Sequence, residues 1–476
     1  MASSAKRIDI LNGPMIPNIL RFSLPLIATG MLQLLYNAAD NIVVGQFDGQ
    51  TALAAVGSTG ALINLIVNVC MGLATGASVA VSQDYGAGNK EGVRQSVQTS
   101  LLISFFGGIL VGIIGFFCSG TFLRWMGSPD NVLPLSTLYL KIYFLGTPAS
   151  MVYNFCASIL RSVGDTKRPL YFLTISGIIN VILNLVFVIV FHMGVAGVAW
   201  ATIISQYVSM IMVILYMLRL PADDCCHIDL RHLRIYPNKL RRIVQVGLPT
   251  GLQSSVFSIS NVLIQSSINS FGSVVMSGNT AASQLEGFVY TAMNSLYQAA
   301  LTFVGQHVGA GNIHKIHKVT LSCAAIVTII GLVLGSLMYV VGEPLLEIYL
   351  PVTNDPTTAA EIQANAENLE AIGYGMTRLL YVMVPYFLCG LMEVMTGCQR
   401  GMGMSVTPMI TSMLGACGLR ILWIYTIFSW HRTLPILYIS YPISWFITTA
   451  VHTINYFRAY RHTKKLFLQE HPEVSA

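Results

Sequence analysis

Gln83-Asp84-Tyr85-Gly86-Ala87-Gly88-Asn89 returns 223 positions later as Gln306-His307-Val308-Gly309-Ala310-Gly311-Asn312. Each copy ends one long apolar run and precedes another. Other marks keep nearly the same step. Leu24-Pro25 recurs as Leu248-Pro249, Lys141 with Pro148 as Arg378 with Pro385, and Arg161-x-x-Gly164-x-x-x-x-Pro169 as Arg400-x-x-Gly403-x-x-x-x-Pro408. The chain is therefore two homologous halves. The step lengthens after the second pair, which places one insertion in the second half, between about residues 320 and 375.

Only 10% of residues are charged and 54% are hydrophobic, against roughly 25% charge in soluble domains. Apolar runs of the roughly 20 residues that cross a bilayer recur throughout. The spans expected are 17–45, 53–81, 96–122, 135–160, 169–191, 195–218, 243–270, 279–306, 319–341, 372–398, 406–428 and 435–457. The fold class is an all-α polytopic membrane protein of about twelve transmembrane helices in two six-helix bundles. Residues 1–218 form the first bundle, 219–242 a linker, 243–460 the second bundle and 461–476 a tail.

The polar stretch Met1 to Pro14 shows no apolar core or cleavage site of a signal peptide. Charge sets the orientation. With both termini cytoplasmic, outer loops hold only Arg124 and Arg432, while Lys6, Arg7, Lys90, Arg94, Arg161, Lys167 and the Arg-rich linker lie inside. The net charge of +6 thus reports topology, and no nucleic-acid partner is expected. The outer segment 342–371 carries Glu343, Glu347, Asp355, Glu361, Glu367 and Glu370 and reads as a solvated loop with a short surface helix over Ala359 to Ala371.

Several chemistries have no support in the sequence. Gly-x-x-x-x-Gly-Lys-Ser/Thr, the phosphate-cradling loop of ATP sites, does not occur, so uphill transport must draw on an ion gradient. An intramembrane enzyme needs a juxtaposed nucleophile–base or metal set, and no span holds a His pair or His-Glu-x-x-His, so no enzyme is expected. The nine cysteines, including the adjacent Cys225-Cys226, lack metal-type spacing and read as small packing residues. No cofactor or metal is expected.

Ionisable groups inside spans cost about 2.5–3.5 kcal/mol each on insertion scales and mark function. Asp40 lies in the first span within Tyr36-Asn37-Ala38-Ala39-Asp40-Asn41; a carboxylate shielded from water can exchange a proton near physiological pH. Asn180 and Asn184 stand one turn apart on the fifth span, and Thr202 on the sixth; their amide and hydroxyl groups suit a cation-coupling cluster around Asp40. Glu286 lies early in the eighth span, with Tyr290, Met293, Asn294 and Tyr297 following at helical spacing. A carboxylate beside aromatic and thioether groups suits a bulky organic cation, and Tyr36 and Asn37 join this substrate-binding set. Lys141 and Arg378 read as snorkelling residues near span ends, and Glu393 with Arg420 as a structural pair. Pro25 and Pro249 are expected to bend the leading helix of each half.

Asn18-Ile19-Leu20-Arg21-Phe22-Ser23-Leu24-Pro25, Asp40-Asn41-x-x-x-Gly45, the doubled Gln-x-x-Gly-Ala-Gly-Asn and Arg161-x-x-Gly164-Asp165-Thr166-x-x-Pro169 resemble multidrug and toxic compound extrusion (MATE) transporters over about residues 10–460. Gln284-Leu285-Glu286-Gly287 looks closest to the bacterial MepA-like branch. The resemblance implies two bundles around a central cleft that rock between inward-open and outward-open states. It implies export of amphipathic, often cationic compounds in exchange for H⁺ or Na⁺, in the plasma (inner) membrane, with the monomer as functional unit. It matches Asp40, Asn180 and Thr202 to the family's coupling site and Glu286 to a drug-recognising carboxylate. Many relatives carry an Asp where this chain has Asn184, and another branch a Glu where Phe257 stands. One titrating carboxylate favours H⁺ over Na⁺. A lipid-linked oligosaccharide flippase of the same superfamily is the alternative; its phosphate cargo would favour a basic cleft, and Asp40 and Glu286, with Lys141 and Arg378 at the ends, argue against it.

Overall fold

The computed structural model describes residues 7–47, 50–126, 128, 130, 132–352 and 358–470; Lys6 and Asp355, invoked above, and the tail beyond 470 lie outside them. The described residues form twelve helical rods. In the first half these are α1 (Met15–Phe47), α2 (Gln50–Gly86), α3 (Lys90–Trp125), α4 (Leu133–Leu145 and, after Gly146, Thr147–Ser162), α5 (Lys167–Leu185, with a π-helical turn Val186–Val190) and α6 (Gly194–Leu218). The second half has α7 (Pro237–Asn269), α8 (Ser273–Gly309), α9 (Ile313–Val340), α10 (Ala359–Arg378, π-helical Leu379–Met383, 3₁₀ Val384–Tyr386 and Phe387–Gly401), α11 (Val406–Ser412, π-helical Met413–Gly418 and Leu419–Tyr425) and α12 (Leu434–Glu470).

Nine of the rods are long and apolar enough to cross a membrane by length and composition. The other three have physical reasons to fall short. Rod α4 is broken beside Pro148, and its repeat partner Pro385 sits in the 3₁₀ turn of α10; a proline has no N–H to give the helix ladder. Rods α7 and α8 carry Ser, Thr, Asn and Gln along their length. Pro25 and Pro249 lie inside unbroken helices.

Lipid is the natural cover for one face of α3. Phe106, Leu110, Ile113 and Phe117, spaced at helical turns, are 59%, 60%, 53% and 76% exposed, a stripe that water would penalise. The opposite face, Gly108, Gly112 and Gly115, is buried against Pro148 and Phe144 of α4. Small residues let the two backbones approach, as membrane helices require.

Two compact units emerge. The first comprises Met1–Ser254 with Gly305–Gly311, the second Ser255–Val304 with Asn312–Ala476. The first unit thus contains the first copy of the opening signature and all of the second but Asn312, and the two interlock. A Cβ on Gly86 would run into the Gln306 carbonyl, and one on Gly309 into that of Gln83. The second glycine of each copy closes the helix in the left-handed region, Gly88 at φ 69° and Gly311 at φ 70°, where a side chain is strained. Gly72 and Gly76 of α2 likewise meet Gly247 and Gly251 of α7 backbone to backbone. Duplication is therefore visible in backbone angles as well as in letters.

The expected surface helix over 359–371 is not separate. It starts at Ala359 under a capping box of Thr358 and Glu361, then runs on as the opening turns of α10. Glu343, Glu347, Glu361, Glu367 and Glu370 are all exposed, and Glu361, Glu367 and Glu370 accept bonds from their own helix or its cap.

Candidate functional site

In the first unit α1 and α5 run side by side, their paired residue numbers rising together. The Tyr36 ring occupies the space that a side chain at Gly177 would need, and its hydroxyl donates to the Thr174 carbonyl at 3.3 Å. One turn on, the Asn184 amide donates through Nδ2 to Asp40 Oδ1 and also reaches Asn180 Oδ1 at 3.4 Å. Gly177, Asn180 and Asn184 share one face of α5, so sequence spacing alone places the ladder opposite α1. Asn184 is only 1% exposed, and its Oδ1 is buried with no hydrogen-bond partner among the described residues. The helix widens into its π-helical turn directly afterwards, a distortion frequent at functional sites.

Asp40, Asn180 and Asn184 therefore come together. Thr202 does not join them by a hydrogen bond, since its hydroxyl is spent on the Val198 carbonyl of its own helix at 2.9 Å. Asn37 is exposed on α1. Tyr139 of α4 is a further neighbour, near enough to feel the Asp40 charge. Nothing in the local sequence of α4 distinguishes it from a packing tyrosine.

Glu286 in the second unit has very different company. Arg378 Nη2 donates to Glu286 Oε2 at 2.6 Å, and Tyr386 Oη to Oε1 at 3.3 Å. Arg378 Nη1 donates to Asn279 Oδ1 at 2.7 Å, which also accepts from Tyr438 at 3.2 Å. Arg378 is 6% exposed, so the snorkelling expected of it is wrong: Asn279 and Glu286 solvate the guanidinium internally. It is the missed residue with a readable signal, because it falls inside the span read at 372–398. Its counterpart Lys141 lies 5.6 Å over the Phe116 ring. The expected Glu393–Arg420 pair is absent from the ion pairs of the described residues. Arg420 donates to Ser444 at 2.9 Å and stacks 4.2 Å over Tyr441.

Of the residues after Glu286, Tyr290 is exposed and Asn294 half-buried. Met293 is fully buried, against Gly390. Tyr297 is 4% exposed, and its hydroxyl accepts from Arg400 Nη1 at 2.6 Å. The Glu286 face thus passes from an accessible end to a packed one.

A family model, MatE, matches residues 25–186 and 249–426, both halves of the duplication. The chain belongs to the MATE family. It is 27% identical over 437 residues to the probable multidrug resistance protein YoeA of Bacillus subtilis, covering 90% of each chain. It is 22% identical over 424 residues to the multidrug export protein MepA of Staphylococcus saprophyticus, covering 85% of this chain and 89% of that one. A crystal structure of MATE in the straight conformation superposes with a TM-score of 0.86 at 23% identity, over 97% of this chain and 99% of that one. The fold is that of a MATE transporter, and the chain is a multi-pass membrane protein of a drug-efflux transporter family rather than an enzyme family.

Proposed function

We propose that the chain is a secondary active antiporter of the plasma membrane that exports amphipathic organic cations in exchange for H⁺, with a single chain as the working unit. The observation that carries the coupling half is the buried Asp40–Asn184 contact with no donor to Asn184 Oδ1 among the described residues. A proton arriving on Asp40 supplies the missing donor: the amide turns, and its oxygen accepts from the new O–H. One carboxylate and two amides suit a proton better than a hard metal cation, which collects many oxygen ligands. Asn180 and Asn184 hold the amide ladder in place.

For the substrate half, Glu286 with exposed Tyr290 receives the cation, which takes the place of Arg378 on the carboxylate. Arg378 keeps its bond to Asn279, and aromatic faces add cation–π attraction. In the cycle, outside H⁺ binds Asp40 and favours release outward. The protonated, empty carrier turns inward, loses H⁺ and reloads. The proton shifts the two states only by its differential affinity for them.

Buried Arg378 favours a second reading, a phosphate-bearing cargo such as a lipid-linked oligosaccharide. Proteoliposome flux separates the two. Saturable uphill ethidium movement under an imposed pH gradient supports the antiporter. Lipid scrambling without dye movement supports the flippase, and gradient-insensitive dye flux sinks both in favour of a channel.

A further inference from the structure

The segment between α6 and α7 tucks Cys225 and Cys226 into the inner end of the first unit, among Val81, Val97, Val213 and Met217. Cys225 is 5% exposed and Cys226 0%. Asp224 roofs the pair. Arg7 Nη2 donates to both Asp224 oxygens at 2.8 Å, Arg7 Nη1 approaches Cys225 Sγ at 3.9 Å, and the Cys226 N–H donates to Asp224 Oδ1 at 2.8 Å. A carboxylate oxygen and both sulfurs lie within 4.8 Å of one another. The Arg7–Asp224 roof is about one-fifth exposed, at 21% and 19%, so the thiols lie one layer beneath solvent.

We propose that Cys225 and Cys226, beneath the Arg7–Asp224 pair, form a binding site for a soft monovalent metal cation of the Cu(I) class. Neighbouring thiolates select soft metals. Two metal–sulfur bonds of about 2.3 Å each span at most about 4.6 Å between sulfurs, and the two sulfurs lie no more than 4.8 Å apart. Structural Zn²⁺ takes four ligands, whereas Asp224 is committed to Arg7 and to a backbone N–H, leaving two. Charge points the same way. Binding follows Cu⁺ + 2 Cys–SH → [Cu(S–Cys)₂]⁻ + 2 H⁺, and Arg7 stands ready to offset the resulting anion. A dication held by Asp224 would have to expel Arg7. The apolar walls keep water from the metal, as outer shells do elsewhere, and the inward-facing charge pattern puts the site in the compartment where thiols stay reduced.

The test uses the reduced full-length protein in detergent, titrated with Cu(I) against a chromogenic Cu(I) chelator. One equivalent per chain should resist the chelator, with X-ray absorption showing two sulfur ligands. The Cys225→Ser/Cys226→Ser variant should lose that equivalent, while Cys118→Ser keeps it. No resistant Cu(I) in the native protein, equal retention by the double variant, or a mixed four-ligand shell in the native complex overturns the proposal. The absorption experiment on the native chain decides the matter even where the double variant fails to fold. One equivalent of Zn(II) that the native chain holds, the double variant loses and Cu(I) fails to displace also overturns it.

Discussion

Asp40 and Glu286 are both carboxylates in membrane-spanning helices of homologous bundles, yet they are neutralised in opposite ways. Asp40 has an uncharged amide from Asn184 and, among the described residues, no guanidinium or ammonium as a hydrogen-bond partner. Glu286 has Arg378 at 2.6 Å and a tyrosine besides. A carboxylate without a counter-cation must find its positive charge elsewhere, and a proton is the smallest source. In the function we propose, a carboxylate that already holds a cation inside the protein exchanges it for the substrate cation. In that function the same duplicated shell holds a proton site in one half and a cation-exchange site in the other.

The largest effect should come from breaking the second arrangement. Arg378→Met leaves half-buried Glu286 without its partner, a loss of up to about 3–5 kcal/mol, and a large fall in thermal stability is expected. Adding Glu286→Gln should restore most of the stability by removing the orphaned charge, while dye transport stays lost. Recovery of transport in the double variant would mean that Glu286 is structural. In the first half, Asn184→Leu removes a buried donor to Asp40, worth about 1–3 kcal/mol, and should weaken gradient-driven flux while dye binding survives. Equal loss of dye binding would show that the two sites are not separate.

Smaller effects sharpen the edges of each site. Tyr290→Ala should raise the half-saturating ethidium concentration by a factor matching about 0.5–2 kcal/mol of cation–π attraction, with the pH dependence of flux unchanged. Thr202→Val should change little, within about 0.5 kcal/mol in stability, because its hydroxyl is bonded inside α6. A collapse of coupling in Thr202→Val would place that hydroxyl in the proton path after all.

The duplication, the twelve rods and the turn glycines were legible because they rest on local rules: repeated letters, apolar run length, and positions that only glycine fills without strain. Asp40 with Asn180 and Asn184 was legible for a related reason, since helical spacing puts the two amides on one face. Arg378 was misread because snorkelling and internal pairing look alike from the chain; only the fold brings Asn279 and Glu286 to it from α8. The glycines at 72, 76, 247 and 251 went unread because close helix contact is a tertiary fact. The surface helix over 359–371 was placed correctly at its start, where the Thr358–Glu361 cap is written in the sequence, and wrongly at its end, where nothing stops it.

The central claim, that Asp40 is where the proton enters the cycle, is tested most directly with Asp40→Asn in proteoliposomes under an imposed pH gradient. The side chain keeps its size and its place beside Asn184 but can no longer titrate. Uphill ethidium transport and substrate-induced proton movement should both be lost while ethidium binding is retained. Intact gradient-driven transport in Asp40→Asn would contradict that claim.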